Sequence, residues 1–257
     1  MQNNYNKLVN NLNDLNLTRM AGSIGDYLEF INKGEKNVVD SLYELTEMEM
    51  KLKQERAMNY CVRMANFPYL KDFSDFDFSF QPSINKDQIL DFQYLKFYEK
   101  KENIIFVGSP GVGKTHLATA IGITASKQRV CTYFISCNDL MLQLKRARIE
   151  NRLDQRLKFF CKYKVLIIDE VGFLPLDVES SNLFFQLIAR RYEKATTIIT
   201  TNKPLSKWGE IFGDNVLANA ILDRLLHHSH IINIVGRSYR TKDIFEEKED
   251  NSVSTNT

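Results

Sequence analysis

Three observations predict an α/β fold in which a parallel sheet carries helices on both faces, behind a small N-terminal helical region. From residue 103 onward, apolar strand-like runs alternate with helical patterns, the order that builds a parallel sheet. Several of these runs, such as Val165-Leu166-Ile167-Ile168, lack polar alternation, which suits strands covered on both sides. Before that region, Leu8, Leu12, Leu15, Met20, Ile24, Leu28 and Ile31 recur at helical spacing.

The helical region is expected over residues 1–66, with a break near Gly22 and Gly34. A second helix should begin at Asp40 or Ser41, where Ser41-Leu42-Tyr43-Glu44 has capping-box spacing, and stop at Phe67-Pro68. Its polar positions include Lys51, Lys53, Arg56 and Arg63, suited either to a packing helix or to an arm that binds DNA or a partner. Residues 67–102 read as a linker. There Phe73, Phe76, Phe78 and Phe80 suit core anchors better than the wall of an adenine pocket, and Ser83 or Asn85 could cap a short helix. Strands are predicted at 104–107, 130–135, 164–169, 196–201 and 230–235, within a domain spanning 103–245. The tail, 246–257, is acidic and then polar, and is expected to be disordered.

Gly108-Ser109-Pro110-Gly111-Val112-Gly113-Lys114-Thr115 fits the phosphate-cradling pattern G-x-x-x-x-G-K-[ST] between a predicted strand and a predicted helix. Glycines let successive backbone N–H groups turn toward phosphate oxygens, and the helix N-terminus adds partial positive charge. Lys114 should reach the β- and γ-phosphates, and Thr115 should offer its hydroxyl to Mg²⁺. His116 follows directly and is expected to pack or cap. Open α/β sheets bind ligands at the carboxyl ends of their strands, where two further groups fall. Asp169, just past Val165–Ile168, can hold Mg²⁺, and Glu170 can act as general base toward a lytic water. Asn202, after Thr197-Ile198-Ile199-Thr200-Thr201, can position that water or touch the γ-phosphate. Arg224 and Arg240 are forked, permanently charged side chains suited to phosphate.

Composition narrows the alternatives. No apolar run approaches the roughly 20 residues of a membrane span, and Met1-Gln2-Asn3-Asn4-Tyr5 has no signal-peptide character. Cys61, Cys131, Cys137 and Cys161 lack C-x-x-C spacing and read as buried free thiols in a reducing cytoplasm. His227, His228 and His230 cluster without a further ligand at zinc spacing and read as a helix terminus, not a metal site. The whole chain has a net charge of +2, but residues 141–164 hold eight Lys/Arg against two acids, +6 locally. Lys145, Arg146, Arg148 and Arg152 in this block could track a phosphate backbone, although a solvated helical face has the same composition.

Gly111-Val112-Gly113-Lys114-Thr115-His116-Leu117-Ala118, Arg191-Tyr192-Glu193, Asn202-Lys203-Pro204, Trp208-Gly209 and Asp223-Arg224-Leu225-Leu226-His227-His228 are together similar to the IstB-like AAA+ ATPases. These P-loop NTPases are transposition helpers of insertion sequences and kin of the DnaC helicase loaders. The resemblance spans nearly the whole chain. It implies ATP bound at interfaces of a homo-oligomer, assembly on double-stranded DNA, DNA bending and delivery of the site to a transposase. It also implies that Arg224 is the arginine finger and Arg240 the sensor II residue, and that the N-terminal helices serve assembly, DNA or partner contacts. Departures are mild: Thr200-Thr201 precede Asn202 where Ser is frequent, and Val171 follows Glu170 where Leu is usual. The short stretch after Arg240 leaves no helical lid, so closure over the nucleotide should fall to a neighbour. A DnaC-like replicative helicase loader is the alternative. A small-molecule kinase fits less well, since Asp169, Glu170 and Asn202 suit attack by water, and an ATP-gated clamp without turnover is a further reading.

Overall fold

The computed structural model describes residues 2–241, with side chains from residue 4. The predicted tail at 246–257 lies outside the described residues. Two compact units make up the chain, Met1–Tyr60 and Cys61–Thr257.

In the first unit, α1 (Gln2–Asp14), α2 (Thr18–Asn32) and most of α3 (Val38–Met64) pack Leu12, Met20, Ala21, Ile24 and Leu45 into a small core. The expected break near Gly22 does not occur, because glycine is tolerated inside α2 when the surrounding apolar stripe is buried. The chain turns instead at Asn16, which takes the left-handed region at φ 57°. Gly34, at φ 73°, does follow the end of α2. Nor does α3 start at Ser41. Asn37 accepts the Asp40 N–H at 2.8 Å and starts the helix earlier, while Ser41 is buried one turn inside. Leu17, before α2, has no side chain able to cap. Glu49 of α3 supplies the missing acceptor, taking the N–H groups of Arg19 at 2.7 Å and Met20 at 3.1 Å.

The second unit is built on five parallel strands: β1 (Asn103–Gly108), β2 (Thr132–Ser136), β3 (Val165–Val171), β4 (Thr196–Thr201) and β5 (Ser229–Ile234). Their order is β2-β3-β4-β1-β5. Each predicted strand is present within two residues of its expected bounds. The missing polar alternation has a direct cause. Ile105, Leu166, Ile168 and Ile199 enter one core, and Ile104, Phe106, Val165, Ile167 and Ile198 enter the other. α7 (Cys137–Ile149), α8 (Leu153–Cys161), α9 (Val178–Arg191), α10 (Trp208–Phe212) and α11 (Asn215–Leu226) contribute to the first core. α6 (Lys114–Lys127) covers the second.

The stretch expected as a linker, 67–102, shares that second core. Phe73, Ile84, Ile89, Phe92 and Phe97 are buried in it, α4 (Lys86–Asp91) is capped by Asn85, and α5 (Lys96–Glu99) precedes β1. Apolar burial on this scale makes it part of the unit's packing. Just upstream, Ala65 O accepts the Phe134 N–H at 2.8 Å and the Asn66 amide donates to Phe134 O at 3.1 Å, covering the free edge of β2.

A buried cation ties the far end of the sheet together. Arg191 is 2% exposed and donates to Phe160 O, Tyr163 O, Thr196 O and the Thr197 hydroxyl. Burial lowers its pKa to about 10, so the guanidinium remains charged at neutral pH. All four cysteines are free thiols. Cys137 is buried as expected, but Cys131 is exposed because it precedes β2 at the sheet rim.

Candidate nucleotide site

At the carboxyl ends of β1, β3 and β4, one cavity of about 300 Å³ gathers Pro110–His116, Glu170, Thr200, Asn202 and Arg240. That volume suits a small organic ligand. Gly111 and Gly113 have φ 81° and 98°, values that a β-carbon opposes. Gly108 is required for a different reason. A β-carbon there would stand 2.4 Å from the Ile234 carbonyl oxygen of β5, a backbone atom that cannot step aside.

Lys114 folds back over the loop, donating to Gly108 O at 2.8 Å and Ser109 O at 2.7 Å. Burial lowers its pKa, with Asp169 partly opposing that shift. The Thr115 hydroxyl donates to Asp169 Oδ1 at 2.9 Å. A hydroxyl and a carboxylate are hard oxygen donors, and together they fit Mg²⁺. His116 packs edge-on against Tyr69 and Phe76 and donates from Nε2 to Asp72 O at 2.9 Å. Gly108, Ser109 and Asp169 stand behind the wall of the cavity.

Asp169 and Glu170 are sequence neighbours, which in a regular strand would face opposite sides of the sheet. A bulge in β3 brings both to the same site. Ile168 pairs with Ile199 and Val171 with Thr201, so Asp169 and Glu170 together oppose Thr200 alone. Glu170 takes φ 60° at the bulge and its backbone N–H donates to the Thr200 hydroxyl at 2.9 Å. The same hydroxyl donates to Asp169 Oδ1 at 2.5 Å. Asp169 is thereby held buried while Glu170 reaches the cavity. Burial raises the Asp169 pKa against the hydrogen bonds from Thr200 and Thr115. Asn202 lines the cavity with its Oδ1 buried and without a partner among the described residues.

Residues the sequence left unassigned complete the walls. Tyr69, Asp77 and Gln81 come from the expected linker. Of the flagged aromatics, Phe73 is a core residue and Phe76 lines the cavity. Alternating Phe and Asp was the only available signal, and it did not say which ring would point where. Segment 235–241 lies against the loop. The Tyr239 N–H donates to Gly111 O at 2.9 Å, Gln81 Nε2 donates to Arg237 O at 2.8 Å, and the Val235 N–H donates to Ser83 Oγ at 3.1 Å. This contact brings Arg240 to the cavity.

Other candidate residues stand apart. Arg224 is absent from the wall. It donates to Ala220 O at 2.7 Å on its own helix and stacks 4.8 Å above the Phe185 ring. The basic block is tied to Glu150 within its own sequence window and to Asp177 and Glu179 outside it. Lys145 pairs with Asp177 at 2.5 Å and Arg148 with Glu179 at 3.2 Å, while Arg146 and Arg152 share Glu150. Such exposed pairs are worth only about 0–1 kcal/mol and exchange readily for another anion. Lys51, Lys53, Arg56 and Arg63 are exposed on α3. No helix among the described residues is long and apolar enough to cross a membrane.

The strand order, the glycine cradle and the paired acids at one bulge define an AAA+ P-loop fold. More narrowly, residues 10–246 match the family described as IstB-like ATP binding protein, and the chain belongs to that family. It is 54% identical to a protein of insertion sequence IS232 from Bacillus thuringiensis subsp. berliner, named for ATP binding, over 97% of this chain and 100% of that one. A counterpart of insertion sequence IS5376 from Geobacillus stearothermophilus is 45% identical, over 91% of this chain and 94% of the other. Among solved structures, the DnaC helicase loader is similar at a TM-score of 0.50 and 27% identity, covering 66% of this chain and 96% of that chain.

Two substitutions around one oxygen should move stability in opposite directions. Thr200→Val leaves the Glu170 N–H unpaired and should cost about 1–3 kcal/mol in urea unfolding. Asp169→Asn should raise the thermal midpoint of the ligand-free protein at neutral pH. The raised folded-state pKa means that the stability of the protonated form is lost as pH rises through that value. The gain should therefore shrink as pH falls toward the ordinary aspartate range. A gain independent of pH would remove the burial argument.

Proposed function

We propose that this protein is an ATP-dependent, DNA-binding AAA+ ATPase that assembles on target DNA and remodels it to assist a transposase, working in the cytoplasm. The observation that carries the reading is the cavity in which the cradle, Glu170 and Asn202 meet, with Asp169 bonded to Thr115 behind its wall. The phosphates of ATP would lie along Pro110–Thr115, with Lys114 turning from Gly108 O and Ser109 O to the β- and γ-oxygens. Thr115 and Asp169 would hold Mg²⁺, which neutralises charge on the phosphates. Glu170 takes a proton from water as that water attacks the γ-phosphorus and the bond to the β-phosphate oxygen breaks, giving ADP and phosphate. Asn202, whose Oδ1 has no partner among the described residues, positions the same water. Arg240 faces the phosphates from segment 235–241.

Arg224 belongs to the catalytic set only across an interface. Its absence from the cavity wall of its own chain supports a homo-oligomer in which one protomer's Arg224 reaches the γ-phosphate held by the next. The exposed cations of α3 and the loosely paired block at Lys145, Arg146, Arg148 and Arg152 are the candidate DNA contacts. A second reading, a replicative helicase loader, rests on the likeness to the DnaC structure. Co-purification with a replicative helicase instead of a transposase would favour it.

Glu170→Gln should bind ATP and assemble but hydrolyse little. Arg224→Ala should also bind ATP, with turnover falling by roughly 10³–10⁵. Mixing the two inactive variants should restore part of the turnover, because an interface where the Arg224→Ala protomer holds ATP and the Glu170→Gln protomer supplies Arg224 is intact. Absence of recovery would remove the shared site.

Duplex DNA binding should strengthen with a non-hydrolysable ATP analogue and weaken steeply with salt, because phosphate contacts release counterions. A fluorescence-anisotropy titration indifferent to both nucleotide and salt would overturn the DNA assignment.

A further inference from the structure

We propose that Glu193, His227 and His228 form a binding site for a divalent transition-metal ion of the zinc class, separate from the nucleotide cavity. Two stretches meet there that the ATPase reading leaves without a role. Glu193 lies in the turn between α9 and β4, and the histidines lie in the turn between α11 and β5. Each side chain is about half exposed, so an ion can enter from solvent.

Both imidazoles converge on one carboxylate oxygen. His227 Nδ1 stands 3.6 Å from Glu193 Oε1 and His228 Nε2 stands 3.9 Å from the same atom. These separations are too long for hydrogen bonds. They do suit ligands around a shared ion: with zinc–nitrogen bonds near 2.0–2.1 Å, neighbouring donors of a tetrahedron lie about 3.3 Å apart. The donor atoms of all three residues fall within 4.8 Å of one another. The two rings already adjoin, with centroids 4.0 Å apart and planes tilted by 39°.

The Tyr192 hydroxyl bonds the same His227 Nδ1 at 2.7 Å, and a bound ion would replace that hydrogen bond. Two imidazoles and one carboxylate favour zinc, cobalt or nickel over Mg²⁺, and they leave a fourth position for water. His230 is engaged elsewhere, with Nε2 2.7 Å from Glu102. A bound ion would fasten the α9–β4 turn to the end of α11, the helix that carries Arg224.

The test uses untagged, nucleotide-free protein in excess Mg²⁺, which competes for the Thr115–Asp169 donors. Zn²⁺ is titrated in competition with a chromophoric chelator, and Co²⁺ is followed by its visible absorption. One Zn²⁺ per chain is expected, with a Co²⁺ spectrum of nitrogen and oxygen ligation. Glu193→Gln should weaken binding by at least about tenfold, the scale on which even outer partners of a metal act. The double variant His227→Gln/His228→Gln should abolish it, and His230→Gln should leave it unchanged. The proposal is overturned if wild-type protein takes up no Zn²⁺, or if uptake survives in the double variant, as it would at a free thiol. Should the double variant not fold, Glu193→Gln decides alone, and wild-type affinity there overturns the site. None of these readouts depends on ATP turnover.

Discussion

The Thr200 hydroxyl is the contact on which the arrangement of the site depends. It accepts from the Glu170 backbone and donates to Asp169, and so holds open a bulge that places two consecutive carboxylates in one region. Pleating opposes that outcome, since neighbours in a strand diverge by half a turn. Glu170 consequently has a left-handed backbone, a strain that persists only where surrounding bonds over-determine it. The site thus combines a buried acid with a raised pKa and an adjacent acid that is solvent-exposed. Different environments give two like side chains different chemistry.

Close approach is the second constraint. The loop between β1 and α6 lies so near β5 and segment 235–241 that side chains at Gly108 and Gly111 would strike Ile234 O and Ser238. The Tyr239–Gly111 hydrogen bond and the Gln81 amide then hold Arg240 over the cradle. Any ligand that displaces Lys114 from Gly108 O and Ser109 O acts on a loop bonded directly to that segment.

Charge reads differently in three dimensions. The +6 block is a property of a sequence window, and Asp177 and Glu179 from the start of α9 offset it in space. Conversely, three exposed groups with no marked spacing in the chain, Glu193, His227 and His228, become a convergent donor set only because two turns at one end of the sheet adjoin.

Periodicity and glycine placement were enough to establish the parallel sheet, its five strands and the cradle at Gly108–Thr115, because those signals are local and each rests on a backbone preference. Local signals misplaced the helix starts in the first unit, where Asn16 and Asn37 outcompete Gly22 and Ser41 by turning or capping the backbone directly. The roles of Phe76, Gln81, Thr200 and Glu193 were set by tertiary structure alone. Each acquires its partner from a strand, loop or turn remote in sequence, and no spacing within the chain encodes which remote groups will share a cavity wall, a bulge or a surface corner.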